Sequence, residues 1–319
     1  MNFHLFKTQS NEGKGGWLWT GMLVLYILLS LMVSGVMQAV VPSGTNLNES
    51  VAYTAITGAT SSIAILLVVI FACYFSRKEV SAKQAICVNK THIIYYVAAI
   101  LIAVGMLLGL GFVNGLIAEG FEGLGFTFPT LTLPLNNVWA YLLFVVVYAV
   151  MPAVCEELFF RGVLLRSFGK GADIKFSVIV TLSLCFALYH GSAVQLVYQL
   201  LYGVAICLLA VKAKSVLPAI LAHFINNFAV LTLQFASISL DLYSPIIIAV
   251  GLILLALGLS ITFIFSNKKG IAPVAKSSST IQKPNQSTSK KGNVISFWLS
   301  GGFIGGLICV MLILMGLFA

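Results

Sequence analysis

The chain has 319 residues, of which 60% are hydrophobic and 8% are charged, and its formal net charge is +9. A soluble protein of this length cannot bury so much apolar surface, so the composition excludes a soluble globular protein and indicates a polytopic membrane protein. We interpret the positive charge as a topology signal and not as a nucleic-acid footprint, so no nucleic-acid partner is expected.

The distribution of apolar segments predicts an all-α fold, a polytopic membrane helix bundle with about nine transmembrane helices. A hydrocarbon layer about 30 Å thick requires roughly 20 apolar residues per helix. The predicted spans are residues 17–41, 51–75, 93–116, 137–168, 174–190, 194–211, 215–237, 243–265 and 294–317.

The charged loops predict the orientation of the bundle. Loops on one side contain no Lys or Arg, only Glu49, Glu119, Glu122 and Asp241. Apart from Arg161, which lies inside a helix, the basic residues all fall on the other side, and this bias predicts a cytoplasmic N-terminus. These basic residues are Lys7, Lys14, Arg77, Lys78, Lys83, Lys90, Arg166, Lys170, Lys175, Lys212, Lys214 and the lysines of 266–293.

Pairs of glycines four residues apart occur in two of the apolar segments. The third segment contains Gly105 and Gly109, and the last contains two overlapping pairs within 301–306. Small residues at this spacing let a second helix approach closely. We interpret these pairs as ordinary helix packing.

Two adjacent carboxylates, Glu156 and Glu157, lie inside the fourth apolar segment and are the only acidic residues predicted at membrane depth. Ionisable groups there are costly, so they mark a functional site by default. Residues four apart share a helix face, which pairs Glu157 with Arg161. Glu156 is turned about 100° away from Glu157 and is not obliged to share this arginine.

Two further motifs lie on the fifth and seventh segments. One places Phe186 four residues before His190, and the other places His223 four residues before Asn227. At a rise of about 1.5 Å per residue, these groups and Glu157 come to similar depths and are predicted to meet near the membrane middle. A carboxylate and an imidazole can activate a water, and a His–Asn pair can donate hydrogen bonds to an oxyanion.

The three motifs resemble Glu-Glu-x-x-x-Arg, Phe-x-x-x-His and His-x-x-x-Asn of the CAAX protease and bacteriocin-processing family. This family of intramembrane endopeptidases includes the type II CAAX prenyl endopeptidases. The resemblance implies Glu156 as the general base, with His190 holding the water. It also implies Glu157 and Arg161 as a supporting ion pair.

The same resemblance implies His223 and Asn227 as the oxyanion site, and a membrane-associated or lipidated peptide or protein as the substrate. Lysine exceeds arginine in this chain, which indicates an AT-rich bacterial genome and an integral protein of the bacterial plasma membrane. In that setting a pheromone precursor or a bacteriocin is a more plausible substrate than a prenylated protein.

The expected domain organisation follows from these motifs. The predicted parts are residues 1–136 with helices 1–3, residues 137–237 as the catalytic core of helices 4–7, residues 238–265 with helix 8, residues 266–293 as a cytoplasmic linker, and residues 294–319 as an accessory C-terminal transmembrane helix.

No cofactor is expected. Two His and two Glu can in principle bind zinc, but the chain has no His-Glu-x-x-His motif, so a metal-independent hydrolase is favoured. A proton-coupled transporter and a non-catalytic bacteriocin-immunity or adaptor protein remain as alternatives, since the same residue types can form a proton relay. Two alternative interpretations also remain open: Arg161 is a purely structural partner of the glutamates, and His190 is a hydrogen-bonded core residue.

Overall fold

The computed structural model describes residues 11–41, 49–77, 81–128, 133–168, 174–266 and 294–314. Within these ranges all regular secondary structure is helical, which confirms the predicted helix bundle. The helices are α1 (Asn11–Val40), α2 (Val51–Ser76), α3 (Ala82–Ala85), α4 (Ile94–Leu110), α5 (Phe112–Gly123), α6 (Val138–Ser167), α7 (Phe176–Tyr189), α8 (Leu196–Ala213), α9 (Leu217–Phe235), α10 (Pro245–Ser266), α11 (Val294–Trp298) and α12 (Gly301–Leu314).

Seven helical spans in the described ranges are long and apolar enough to cross a membrane, with α4 and α5 forming one continuous span. Helices α7 and α12 are shorter apolar helices. The protein is therefore an integral membrane protein. The predicted linker 266–293 lies outside the described residues, apart from Ser266 at the end of α10.

Two details of the helices differ from the prediction. The last segment is not one helix, because the Ser300 hydroxyl accepts a hydrogen bond from the Phe303 amide at 3.1 Å and starts α12 anew. The short helix α3 was not predicted. Ser81 and Gln84 form its capping box, which satisfies backbone groups that a four-residue helix otherwise leaves exposed.

The basic loops come together at one end of the bundle. Arg166 donates a hydrogen bond to the carbonyl of Gln84. Asn89 Nδ2 donates to the carbonyl of Lys214 at 2.8 Å, and the Ser215 hydroxyl donates to the carbonyl of Asn89 at 2.7 Å. Residues predicted to share one side of the membrane therefore touch each other, while the assignment of that side to the cytoplasm stays a prediction.

Helices α4 and α10 approach each other through glycines. A Cβ atom added to Gly251 would lie 2.1 Å from the backbone nitrogen of Gly109, and one added to Gly105 would lie 2.4 Å from the nitrogen of Leu255. Neither position has room for a side chain. The packing role predicted for Gly105 and Gly109 is confirmed.

Helix α12 packs on α1 in a similar way. A Cβ added to Gly302 would lie 2.3 Å from the nitrogen of Trp17, and one added to Gly306 would lie 2.4 Å from the ring of Trp19. At Gly301 the nearest atom is 3.5 Å away, which is ordinary contact. Of the two overlapping glycine pairs within 301–306, the pair of Gly302 and Gly306 therefore faces α1.

One apolar core connects this last helix to the middle of the bundle. Phe303 of α12 belongs to the same buried cluster as Phe160 of α6 and Phe186 of α7. In addition, Trp298 Nε1 donates a hydrogen bond to the Thr181 hydroxyl at 3.2 Å. The C-terminal helices thus pack against the elements that carry the predicted motifs.

Candidate active site

The two adjacent glutamates lie in a helix of uneven geometry. Within α6, π-helical turns at Val145–Val150 and Leu158–Leu164 flank an α-helical stretch, Met151–Glu157. Such turns occur frequently at functional sites, because they change which side chains share a face. Pro152 is a local signal for the first one, since proline cannot donate to the helix ladder. We find no comparable signal in the sequence for the second.

Glu157 and Arg161 form the predicted ion pair. Arg161 donates to Glu157 Oε1 at 2.9 Å, and both side chains are almost completely buried. Arg161 also donates to the Gly203 carbonyl at 3.3 Å and places its guanidinium carbon 4.2 Å from the ring centre of Phe186. The arginine is thereby fixed by an anion, a carbonyl and an aromatic face, which suits its planar fork of donors.

His223 of α9 joins the two carboxylates. Its Nδ1 lies 2.9 Å from Glu157 Oε1, and its Nε2 lies 3.9 Å from Glu156 Oε2. Glu157 therefore binds Arg161 and His223 through one oxygen, while Glu156 faces the opposite nitrogen of the same ring. This contact joins residues 66 positions apart in the chain, so helical spacing could not have predicted it.

His190 lies at the C-terminal end of α7, where its Nδ1 is 2.8 Å from the carbonyl of Phe186. A carbonyl only accepts hydrogen bonds, so Nδ1 carries the hydrogen, and Nε2 of the neutral ring is an acceptor. The Phe186 ring lies between the two histidines, with centroid distances of 4.7 Å to His190 and 5.8 Å to His223. His190 therefore adjoins the ionic cluster through this ring.

Asn227 lies one helical turn beyond His223 and faces α6. Its Nδ2 donates to the carbonyl of Tyr148 at 3.2 Å, and its Oδ1 accepts from Asn226 Nδ2 at 3.3 Å. Asn226 is buried in the interior of α9, where its side chain cannot cap a helix end. Among the described contacts, Asn227 is connected to the carboxylates only through its position on α9.

The structure thus brings Glu156, Glu157, Arg161 and His223 into one cluster and leaves His190 and Asn227 at its borders. Sequence reasoning assigned no role to Tyr189, whose ring lies against that of His190 with a centroid distance of 5.4 Å. A tyrosine directly before the motif histidine was the available signal.

Burial favours charge balance in this cluster, because a net charge is costly away from water. A Glu156 carboxylate would act as a hydrogen-bond acceptor, and a His223 imidazolium would act as a donor through Nε2.

One oxygen of each glutamate has no partner among the described residues. Glu156 Oε2 and Glu157 Oε2 are both buried and make no hydrogen bond to a described group. Buried polar atoms of this kind are rare and call for an explanation such as a catalytic role. Glu156 Oε2 is the one that faces a histidine nitrogen.

The possible metal ligands are largely engaged by protein groups. Glu157 Oε1 bonds to Arg161 and His223, and His190 Nδ1 bonds to a carbonyl. Within the described part of the chain, no group of three His, Cys, Asp or Glu side chains is arranged to hold a metal ion. Metal independence stays a prediction.

Fold and site together define an integral membrane protein with a buried carboxylate–histidine–arginine cluster. Residues 137–229 match the family model described as type II CAAX prenyl endopeptidase Rce1-like, and this segment contains all of the predicted site residues. The chain therefore carries a domain of the CAAX protease family, which confirms the resemblance inferred from the three motifs. No curated protein and no solved structure matches the chain. This match supports a general assignment as a CAAX-type intramembrane endopeptidase.

Proposed function

We propose that this protein hydrolyses a peptide bond of a membrane-associated or lipidated peptide or protein, using a water activated by Glu156. One observation carries the proposal: a buried carboxylate oxygen, Glu156 Oε2, has no hydrogen-bond partner among the described residues and faces His223 Nε2 at 3.9 Å. It lies inside the segment that matches the endopeptidase family.

The two acceptors of the site bind the water. The Glu156 carboxylate takes a proton from it, and His190 Nε2 accepts a second hydrogen bond and orients it. The resulting hydroxide oxygen attacks the carbonyl carbon of the scissile bond and forms a tetrahedral intermediate. Glu156 then passes the proton to the amine nitrogen as the C–N bond breaks, so that protons and electrons balance and no covalent enzyme intermediate is needed.

The two donors of the site stabilise the oxyanion. His223 as an imidazolium donates through Nε2, and the second Nδ2 hydrogen of Asn227 donates beside it. Glu157 supports this state because its carboxylate accepts from His223 Nδ1 and holds the ring in place. Arg161 balances the charge of Glu157. In this scheme Glu156 does the chemistry and Glu157 positions the donor.

The substrate class follows from the location of the site and from the family. A cluster this deeply buried among apolar helices is reached most easily by a chain that is itself held in the bilayer. The family description includes prenylated CAAX substrates, so a farnesylated peptide is the appropriate first probe. We propose that the reaction requires no metal and no other cofactor.

The test uses purified protein in detergent and quenched fluorescent peptides, one set with a farnesylated Cys-aliphatic-aliphatic-X end and one unlipidated. Glu156→Ala and His190→Ala are each expected to lower cleavage about 10²–10⁴-fold, as expected for loss of a general base or its partner. Glu119→Gln is the matched control, because this carboxylate bonds to Tyr243 away from the site. All samples are run with and without a chelator.

Cleavage that is lost in both site variants and survives the chelator supports the proposal. Cleavage that the chelator abolishes and zinc restores contradicts the metal-free mechanism. Full activity of both variants contradicts the assignment of the site, and the absence of cleavage by the unmodified protein contradicts the proposed substrate class.

A further inference from the structure

We propose that Tyr198 and Asn226 are positioning residues that hold the Asn227 amide in the orientation required to donate a hydrogen bond to the reacting carbonyl. The inference rests on the proposed function, since it concerns the donor side of that site. It assigns a role to two buried polar residues that are not among the specified positions of the three sequence motifs.

The chain of hydrogen bonds begins on α8. The Tyr198 hydroxyl donates to Asn226 Oδ1 at 2.8 Å, and both side chains are buried. An amide presents an acceptor on one side and a donor on the other. A donor from Tyr198 therefore fixes which way the Asn226 amide points, with Oδ1 toward α8 and Nδ2 away from it.

The orientation of the Asn226 amide in turn fixes that of the Asn227 amide. Asn226 Nδ2 donates to Asn227 Oδ1 at 3.3 Å, which turns the oxygen of Asn227 toward Asn226. The Asn227 Nδ2 group then points the other way and carries two hydrogens. The carbonyl of Tyr148 accepts one of them at 3.2 Å, and the second is free to donate to a substrate.

The last acceptor in this series of hydrogen bonds is the Tyr148 carbonyl of α6. In a regular α-helix the Tyr148 carbonyl would accept from the backbone nitrogen of residue 152, but residue 152 is a proline and has no N–H. The carbonyl thus lacks the donor that an α-helix would supply, and it accepts a hydrogen bond from Asn227. The Asn227 amide is held between Asn226 on one side and Tyr148 on the other.

Loss of the Tyr198 hydroxyl would remove the only constraint in this series that comes from outside α9 and α6. Asn226 could then rotate its amide by half a turn and present Nδ2 toward α8. Asn227 Oδ1 would then lose its hydrogen-bond donor, Asn226 Nδ2. With the Asn227 amide rotated as well, its Oδ1 would face and repel the developing oxyanion. Since complete loss of an oxyanion donor costs about 10²–10³-fold in rate, we expect partial loss of orientation to cost about 10-fold in kcat.

The experiment compares Tyr198→Phe with Tyr202→Phe. Tyr202 lies one turn further along α8, its ring stacks on that of Tyr198 with a centroid distance of 6.1 Å, and its buried hydroxyl has no hydrogen-bond partner among the described residues. Both substitutions keep the aromatic ring and remove one hydroxyl. Each is made in the unmodified protein and in Asn227→Ala, and cleavage of the farnesylated quenched peptide is measured along with thermal unfolding in detergent.

We expect Tyr198→Phe to lower kcat about 10-fold with little change in KM, while Tyr202→Phe stays close to the unmodified protein. In the Asn227→Ala background, Tyr198→Phe should have no further effect, because the residue it positions is gone. Two results would overturn the positioning role in favour of a structural one. The first is an equal loss of kcat from Tyr198→Phe in the unmodified protein and in Asn227→Ala. The second is a loss of kcat that is explained by a lower unfolding temperature of the variant.

The outcomes separate this inference from the proposed function. If Asn227→Ala is as active as the unmodified protein, or if the unmodified protein cleaves no peptide, the proposed function itself fails. If Asn227→Ala is strongly impaired and Tyr198→Phe retains full activity, the proposed function stands and only the positioning role is overturned.

Discussion

At the scale of single residues, the two adjacent glutamates are held in different ways. Glu157 bonds to Arg161 and to His223 at 2.9 Å each through Oε1, although its Oε2 has no partner among the described residues. Glu156 leaves one buried oxygen without a partner among the described residues. A buried ion pair that loses one member leaves an uncompensated charge, whereas a carboxylate without a close ion-pair partner can be replaced by an amide at little structural cost.

This difference predicts that replacement by glutamine destabilises the protein at Glu157 but not at Glu156. Glu157→Gln should lower the free energy of unfolding by about 3 kcal/mol or more, because Arg161 stays buried without a counter-ion. Glu156→Gln should leave the unfolding temperature nearly unchanged. Thermal unfolding of both variants in the same detergent measures the contrast, and equal unfolding temperatures would contradict the division of roles.

The sequence predicted the contact within one helix and the similar depth of the three motifs, but not the individual bonds between helices. The spacing of four residues is sufficient to pair Glu157 with Arg161. The bonds from His223 to Glu157 and from Tyr198 to Asn226 depend on how separate helices are rotated and shifted against each other. Periodicity does not fix these rotations, and they come from packing of the whole bundle.

At the scale of elements, α6 combines the two buried glutamates with two π-helical turns. The first turn contains Tyr148, whose carbonyl accepts from Asn227, and Pro152 is the residue that withholds the usual helical donor. The sequence predicted the extent of this span well, since 137–168 was expected and Val138–Ser167 is found. Its internal geometry was not predicted, because a π-turn depends on what packs against the helix.

Pro152→Ala tests the coupling between helix geometry and the site. An alanine supplies an N–H that competes with Asn227 for the Tyr148 carbonyl, and it favours a helix interior by about 3 kcal/mol over proline. We expect cleavage to fall several-fold while the unfolding temperature stays the same or rises. A variant that is both stable and fully active would show that the Tyr148 carbonyl does not help to hold Asn227.

At the scale of the whole molecule, close helix contacts hold the bundle together. Gly251→Ala would place a Cβ 2.1 Å from the Gly109 nitrogen, where only backbone could yield. Overpacking of this kind typically costs about 1–3 kcal/mol, so we expect a clearly lower unfolding temperature. Gly35→Ala is the control, since its added Cβ would meet no atom of the described residues within 4 Å and should leave stability unchanged.

We also predict the orientation of the bundle in the membrane, with Lys214 on the cytoplasmic side and Glu119 on the opposite side. A membrane-impermeant maleimide added to intact cells should label Glu119→Cys and not Lys214→Cys, both in a background without the native cysteines. The physical reason is the concentration of Lys and Arg at the end of the bundle that contains Lys214. Labelling of Lys214→Cys alone would reverse the predicted orientation.

The most direct test of Glu156 as the base is the cleavage rate of Glu156→Gln on the farnesylated quenched peptide, measured on protein whose unfolding temperature matches that of the unmodified chain. We expect a loss of about 10²-fold or more, since the amide cannot accept the proton of the attacking water. Retention of activity within a few-fold would contradict Glu156 as the base and, with it, the proposed mechanism.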